Sequence, residues 1–484
     1  MQPADNSIDA ETLKQLFKKS ADVQFQEYTF NQRKVMFITC EAMIDQHLLN
    51  DVIVARVQLF FNALEELSFE DAVTSHLHIP SLKKVEAKNE IISDVYAGNV
   101  LLYFEDYNVV YSSNISKKPN RNPEETKTEV LVKGPRDNFI EDISTNIALI
   151  RKRLPTNSLC VEKFEVGRRT KTTVAILYFD DIADENILAG IKEKINKVDV
   201  DIIYSGNILM ELIDKRSILL PRHDYTGRPD YAIQFLARGR FVILIDGVSY
   251  GVIIPVNLFL LFKTGEDNEN TITFTSFERL LRVAGLLIST LLPAFWLALT
   301  TFHQNQLPLQ LLATVVQSNT GLPFSTVFEM VLMLFVFELF REFGLRVPAA
   351  VGGSISVVGG LIIGDAAIRA GITSPAMIVI IATSVIASYT LVNQSLVAAV
   401  SLLRFFFILF TAFFGLFGFF LAFFFIVLYL ANMRTFGVPY LALTGDLSWS
   451  KTLRTIIRLP GKDYAERPHD LNPKDKMRMK NEQK

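Results

Sequence analysis

The chain carries 49 basic and 51 acidic residues, yet only nine of them lie between Leu280 and Met433: Arg282, Glu329, Glu338, Arg341, Glu342, Arg346, Asp365, Arg369 and Arg404. No other feature restricts the fold as strongly. A block this long and apolar cannot be the surface of a water-soluble domain. It holds several runs of the roughly 20 apolar residues that cross about 30 Å of hydrocarbon. The remainder of the 484 residues is polar. The expected fold class is therefore multi-domain: an N-terminal cytoplasmic α/β region of two lobes, then an α-helical integral membrane domain of five or six transmembrane helices. The expected boundaries are 1–130 for lobe 1, 131–275 for lobe 2 and a linker, 276–434 for the membrane domain, and 435–484 for a basic cytoplasmic tail.

The N-terminal MQPADNSIDAETLKQLFKKS has no apolar core and does not read as a signal peptide. Alternation and apolar runs predict strands over Phe25–Phe30, Lys34–Thr39, Asn99–Glu105, Val109–Tyr111, Cys160–Val166, Thr172–Tyr178 and Val200–Tyr204, with a hairpin at Arg240–Gly251. Helical spacing covers Asp45–Glu66, Arg136–Arg153 and Asp184–Asn196.

This region carries no catalytic signature: no phosphate loop, no dinucleotide glycine pattern and no nucleophile elbow. An enzyme is not indicated, and no cofactor or metal is implied. His76 and His78 are an isolated pair without the clustered partners of a metal site. Asp180–Asp181 reads as a strand-end turn, and Cys40 and Cys160 as reduced, packed thiols. Arg151, Arg153, Arg168, Arg169 and Lys171 form a basic cluster that reads as a solvated or membrane-proximal face. It lacks the interleaved aromatics of a nucleic-acid platform.

In the apolar block, Val252–Phe262 is too short to span and reads as interfacial or re-entrant. The first span is Leu280–Phe302. The loop His303–Leu322 has no Lys or Arg and is expected outside. The second span, Pro323–Phe343, carries Glu329 and Glu338, which about 100° per residue places on opposite faces of a helix. Glu329 sits deep and needs a partner.

The third span is built from small residues. Gly352, Ser356, Gly360 and Gly364 recur at four-residue spacing beside Gly353, and Asp365 and Arg369 follow as an i,i+4 pair. Such a ladder lets helix backbones approach closely. Packing inside one subunit and packing against copies about an axis both remain open. The fourth span is Pro375–Ser395. The last run, Ala398–Met433, is either one overlong tilted helix or two helices broken near Gly415–Gly418.

Four blocks in order, KGPRDNFIEDISTNIALIRKRL (Lys133–Leu154), GRPDYAIQFLARGRFVILIDG (Gly227–Gly247), FREFGLRVPAAVGGSISVVGGLIIGDAAIRAGITSP (Phe340–Pro375) and RTFGVPYLAL (Arg434–Leu443), resemble the A subunits of GerA-type spore germination receptors. The resemblance covers nearly the whole chain. It implies a germinant receptor subunit in the spore inner membrane, partnered by a transporter-like B-type subunit and a lipoprotein C-type subunit. It further implies self-association into a ring that acts as a gated cation channel. The pore and helix-packing candidates are then Gly352, Gly353, Ser356, Val357, Val358, Gly360, Leu361, Gly364 and Asp365, with Glu329, Glu338 and Arg369 as intramembrane charges. The alternatives are a secondary transporter subunit, or a membrane scaffold of a paralogous spore-membrane branch without its own channel.

Overall fold

A computed structural model describes residues 8–63, 69–117, 135, 137–214, 219–346, 364–441, 457–458, 460 and 466–478. The chain divides into two compact units. The first comprises Met1–Arg216, His223–Pro255 and Tyr464–Lys484; the second, Ser217–Arg222 and Val256–Asp463.

The first unit holds two antiparallel sheets. One contains β1 (Val23–Phe30), β2 (Arg33–Cys40), β3 (Lys83–Val85), β4 (Asn99–Phe104) and β5 (Val109–Asn114), in the order β1-β2-β4-β5-β3. The other contains β6 (Leu159–Val166), β7 (Thr172–Phe179), β8 (Asp224–Thr226), β9 (Phe241–Ile245) and β10 (Gly251–Ile254), in the order β6-β7-β9-β10-β8. Alternating apolar residues explain the strands. Val35, Phe37, Val100, Leu102 and Phe104 face one cluster of the first sheet, and Met36, Ile38, Leu101 and Tyr103 face the other.

The two sheets repeat one another in register as well as in order. Val35 faces Phe104 as Val174 faces Ile245, and Lys84 faces Tyr111 as Tyr225 faces Val252. Among the described residues of both lobes, helical segments separate the second and third strands and one helix precedes the fourth. Glu41 N–H donates to Asp22 O at 3.0 Å, and Asp180 N–H to Ser158 O at 2.9 Å, at matching strand ends.

Three expected elements differ. The helix begins at Ile143, not Arg136, because Asp142 caps it and the preceding chain is pinned elsewhere. Phe139 N–H donates to Gly227 O, and Asn146 closes on both the N–H and the carbonyl of Ile140. Residues 200–204 form no strand; Val200 O accepts from Arg168 N–H and Ile203 O from the Thr172 hydroxyl. The apolar run from Val252 starts inside a sheet rather than as one interfacial or re-entrant element. Its first part is strand β10, and Leu258–Leu260 is a short buried 3-10 turn.

The second unit is helical: Ile272–Thr301, Leu309–Asn319, Thr326–Arg346, residues 364–369, Pro375–Ser388 and Gln394–Asn432. Among the described residues, Ile272–Thr301 and Gln394–Asn432 are long and apolar enough to cross a membrane. The fourth expected span is shorter than expected: the helix stops at Ser388, and Asn393 caps the next one. Gln394–Asn432 is not one straight rod. Gly415 has φ 60° and ψ −140°, and the chain doubles back there. Phe410 and Phe425 have ring centroids 6.2 Å apart, where 15 residues of straight helix would separate them by about 22 Å. Phe407 and Phe419 meet likewise at 5.9 Å. Of the two alternatives for this run, the broken one is observed. Phe413, Phe414, Phe417, Phe420 and Phe424 are exposed around this hairpin, an apolar surface suited to lipid rather than water.

Candidate functional site

Polar side chains from three helices meet a backbone carbonyl of a fourth inside the apolar helical unit, and a proline explains where. Pro293 lies within Ile272–Thr301 and has no N–H, so the carbonyl of Ser289, four residues earlier, lacks its helical donor. Two donors from other helices take its place: Arg404 Nε and the Ser384 hydroxyl, each at 2.9 Å. Neighbouring helices commonly supply the partners that a proline removes in an apolar medium.

Arg404 is 1% exposed, and its Nη1 lies 3.6 Å from Glu338 Oε1. Glu338 Oε2 meets Arg341 at 2.8 Å, and Arg341 also donates to the Ser401 hydroxyl at 2.7 Å. One carboxylate thus serves two guanidinium groups. Arg404 Nη2 has no acceptor among the described residues.

Glu329 lies on the other face of the same helix and is also buried. Its Oε1 accepts from the Thr373 hydroxyl at 2.7 Å and from Ser374 N–H at 2.6 Å. Ser374 caps the helix Pro375–Ser388, so the carboxylate sits at a helix N-terminus, where the dipole favours negative charge. Glu342 pairs with Arg346 at 2.5 Å, and Asp365 pairs with Arg369 at 2.8 Å on an exposed face. Among the described residues nothing lies within 4 Å of where a Cβ on Gly364 would stand. The other ladder candidates, Gly352, Gly353, Ser356, Val357, Val358, Gly360 and Leu361, lie outside the described residues.

The entry to the first long helix is tied by Asp267, which meets Arg279 Nε at 2.7 Å and Arg282 Nη1 at 2.8 Å. Burial opposes ionisation of Asp267, but the two guanidinium groups outweigh it and hold the carboxyl below its ordinary range.

In the first unit the expected basic cluster is dispersed. Arg151 is fully buried, held by Asp22 through Nε at 2.8 Å and Nη2 at 3.0 Å, with the Tyr96 ring 4.2 Å away. Arg168 pairs with Asp199 and Arg169 with Asp201, so neither offers an unpaired charge. Asp180 does lie in a turn after β7, paired with Lys19. Among the described residues no group of three or more His, Cys, Asp or Glu side chains is placed to hold a metal ion. The role of Arg404 was missed in the sequence. The available signal was Pro293, which marks an open carbonyl within an apolar helix and hence a donor elsewhere.

Two repeated sheet lobes and a helical unit, with two helices among the described residues long and apolar enough to cross a membrane and a buried ion network between its helices, define the class of protein. The family model described as Bacillus/Clostridium GerA spore germination protein matches residues 11–470. The chain belongs to this family. It is 39% identical over 452 residues to spore germination protein XA of Bacillus anthracis, covering 92% of this chain and 91% of that protein. It is 30% identical over 479 residues to spore germination protein KA of Bacillus subtilis (strain 168), covering 98% and 88%. Among solved structures, the N-terminal domain of the A subunit of the Bacillus megaterium spore germinant receptor GerK3 aligns with 22% identity and a TM-score of 0.38, over 51% of this chain and 94% of that one.

Proposed function

We propose that this chain is an A-type subunit of a nutrient receptor complex in the spore inner membrane, where it triggers germination. In this reading its soluble lobes are cytoplasmic, B-type and C-type subunits are its partners, and copies of it assemble into a ring. The ring is a germinant-gated cation channel with the small-residue span at its axis.

The observation that carries the reading is the clamp at Glu329. From Glu329 to Arg346 is 346 − 329 = 17 helical residues, or about 26 Å. Thr373 and Ser374 bond to Glu329, so the two ends of the stretch between Arg346 and Thr373 lie about that distance apart. That stretch contains the Gly and Ser ladder, which supports its assignment as a span of the same layer. The Glu338–Arg341–Arg404 network has one carboxylate for two guanidinium groups and would repel a passing cation, which favours a conduction path elsewhere. The hairpin at Gly415 supports a reading with six spans rather than five. An even count also agrees with residues 466–478 belonging to the same compact unit as the N-terminal lobes.

Replacement of Val357, Val358 or Leu361 by Ala is expected to widen the constriction, lower the germination threshold and speed ion release from spores. Unchanged threshold and release in all of these variants would refute the pore assignment.

A further inference from the structure

The repeat in the first unit has one mismatch, and the C-terminal segment fills it. In lobe 1 the chain continues past β5 and closes over the end of β2. Lys117 N–H donates to Met43 O at 2.9 Å, Ile44 bridges Ser116, and the Lys117 ammonium lies 3.0 Å from Asp45. Asp45 accepts from His47 N–H at the entry to the following helical segment. A Cβ on Gly98, between helix and β4, would strike Met43 O and Ser116.

In lobe 2 the chain leaves after β10 and Pro255 for the other unit and, among the described residues, makes no such closure. Its place is taken by residues from the far end of the sequence. Lys474 N–H donates to Ile182 O at 2.9 Å, and Ile182 stands three residues past β7 as Met43 stands three past β2. The Asn472 amide donates to Asp184 at 2.9 Å, and Asp184 caps its helix just as Asp45 serves the matching one. A Cβ on Gly239, the counterpart of Gly98, would meet Ile182 and Pro473. Leu471 is buried, and Arg467 reaches the carbonyl of Ala237 at 3.1 Å.

We infer that lobe 2 is an acceptor for a complementing peptide, and that residues 466–478 are its built-in occupant, standing where lobe 1 uses its own continuing chain. The segment recognises the lobe through a buried leucine, one carboxamide on the capping aspartate and backbone bonds at a strand end. The contact fastens the chain that follows the helical unit to the second lobe. Because the occupant arrives from outside the lobe, it is exchangeable. The inference does not depend on the receptor reading.

The test uses the full chain with a protease site inserted between Gly445 and Asp446, cleaved after purification in detergent. Added labelled peptide ERPHDLNPKDKMR, the sequence of residues 466–478, is expected to displace the native segment and bind. Removing the segment with no peptide present is expected to raise amide exchange in Glu185–Asn196 about tenfold while leaving β1 to β5 unchanged. The peptide carrying Leu471→Asp is expected not to bind. Because cleavage follows folding, a failure to fold does not confound the result. Loss of the segment without change in lobe 2 exchange, or equal binding of the Leu471→Asp peptide, would overturn the inference.

Discussion

Glu338→Gln and Arg404→Met each remove one charge from the same buried network, yet their costs should differ in size and even in sign. Glu338 is the carboxylate that meets both Arg341, at 2.8 Å, and Arg404, at 3.6 Å. Glu338→Gln leaves two guanidinium groups in an apolar interior, one of them 1% exposed. Removing one partner of a buried pair costs about 3–5 kcal/mol. Glu338 and Arg341 are 20% and 25% exposed, so water screens part of this and the lower figure, about 3 kcal/mol, is the working value.

Arg404→Met loses the charge-assisted bond to Ser289 O, worth about 1.5–3 kcal/mol, but Ser384 still serves that carbonyl. It also relieves a guanidinium whose Nη2 has no acceptor among the described residues, and it leaves Glu338 with Arg341 in neutral balance. Burial of an unmatched charge is itself worth several kcal/mol, so the net change should fall within about 1 kcal/mol of zero. The separation of about 2–4 kcal/mol is a difference of about thirtyfold or more in the unfolding equilibrium, with about 1.4 kcal/mol per decade. The assay is a denaturing-detergent titration of the purified chain, followed by fluorescence of Trp296 with Trp449 replaced by Phe. Equal losses for the two variants would mean that Arg404 is fully paired, and the charge count behind the argument would be wrong.

Three further outcomes follow from the same structure. Because the Asp267 carboxyl is depressed in the folded chain, its stabilisation is present above the ordinary carboxylate pKa of about 4 and is lost as pH falls through the lower folded value; amide exchange at the start of Ile272–Thr301 should stay flat from about pH 7 to 5 and rise below about 4, and Asp267→Asn should abolish that step. In the first unit, Arg151→Met should strand the buried Asp22 and cost about 3–5 kcal/mol, while Asp22→Leu combined with Arg151→Met should recover at least half of it; exchange from Ile143–Arg151 reads both, and additive losses would refute the coupling. Burial pushes the Cys160 thiol up to about 11, so alkylation at about pH 8 should be negligible in the folded chain and fast in denaturant, with rapid native labelling refuting that environment.

The paired strands of both lobes were legible because they are short apolar or alternating runs bounded by turn residues, the central ones buried on both faces. The false start at Arg136 shows the limit of periodicity. Phe139 lies in phase with Ile143, Ile147 and Ile150, yet Asp142 interposes a cap and Phe139 belongs to an extended stretch held by Gly227. The repeat of the lobes went unread because it resides in register and connection order, while its residues differ: Gly98–Phe104 reads GNVLLYF where Gly239–Ile245 reads GRFVILI. Val252–Ile254 looked membrane-like for a related reason. A strand buried on both faces is as continuously apolar as a lipid-facing segment, and only its neighbours β8 and β9 distinguish the two.

The carboxylates of Thr326–Arg346 show what a helical pattern can and cannot fix. Their placement on opposite faces was legible from nine-residue spacing; their partners, Thr373 with Ser374 on one side and Arg404 on the other, are 44 to 66 residues away and carry no local signal. Together they mean that two faces of this helix are occupied by its own chain. Its remaining stripe, Phe328, Val331, Phe335 and Leu339, is exposed and bulky. Large side chains of that kind hold neighbouring backbones apart, whereas close approach about an axis calls for Gly, Ala and Ser. Within this pair of segments the bulky stripe suits lipid, and the proposed axial role falls to the small-residue stretch that follows Arg346. A bulky substitution such as Gly360→Leu should therefore block ring assembly, read by crosslinked ladders in membranes, while Phe335→Ala leaves it intact; the reverse pattern would move the axis to Thr326–Arg346.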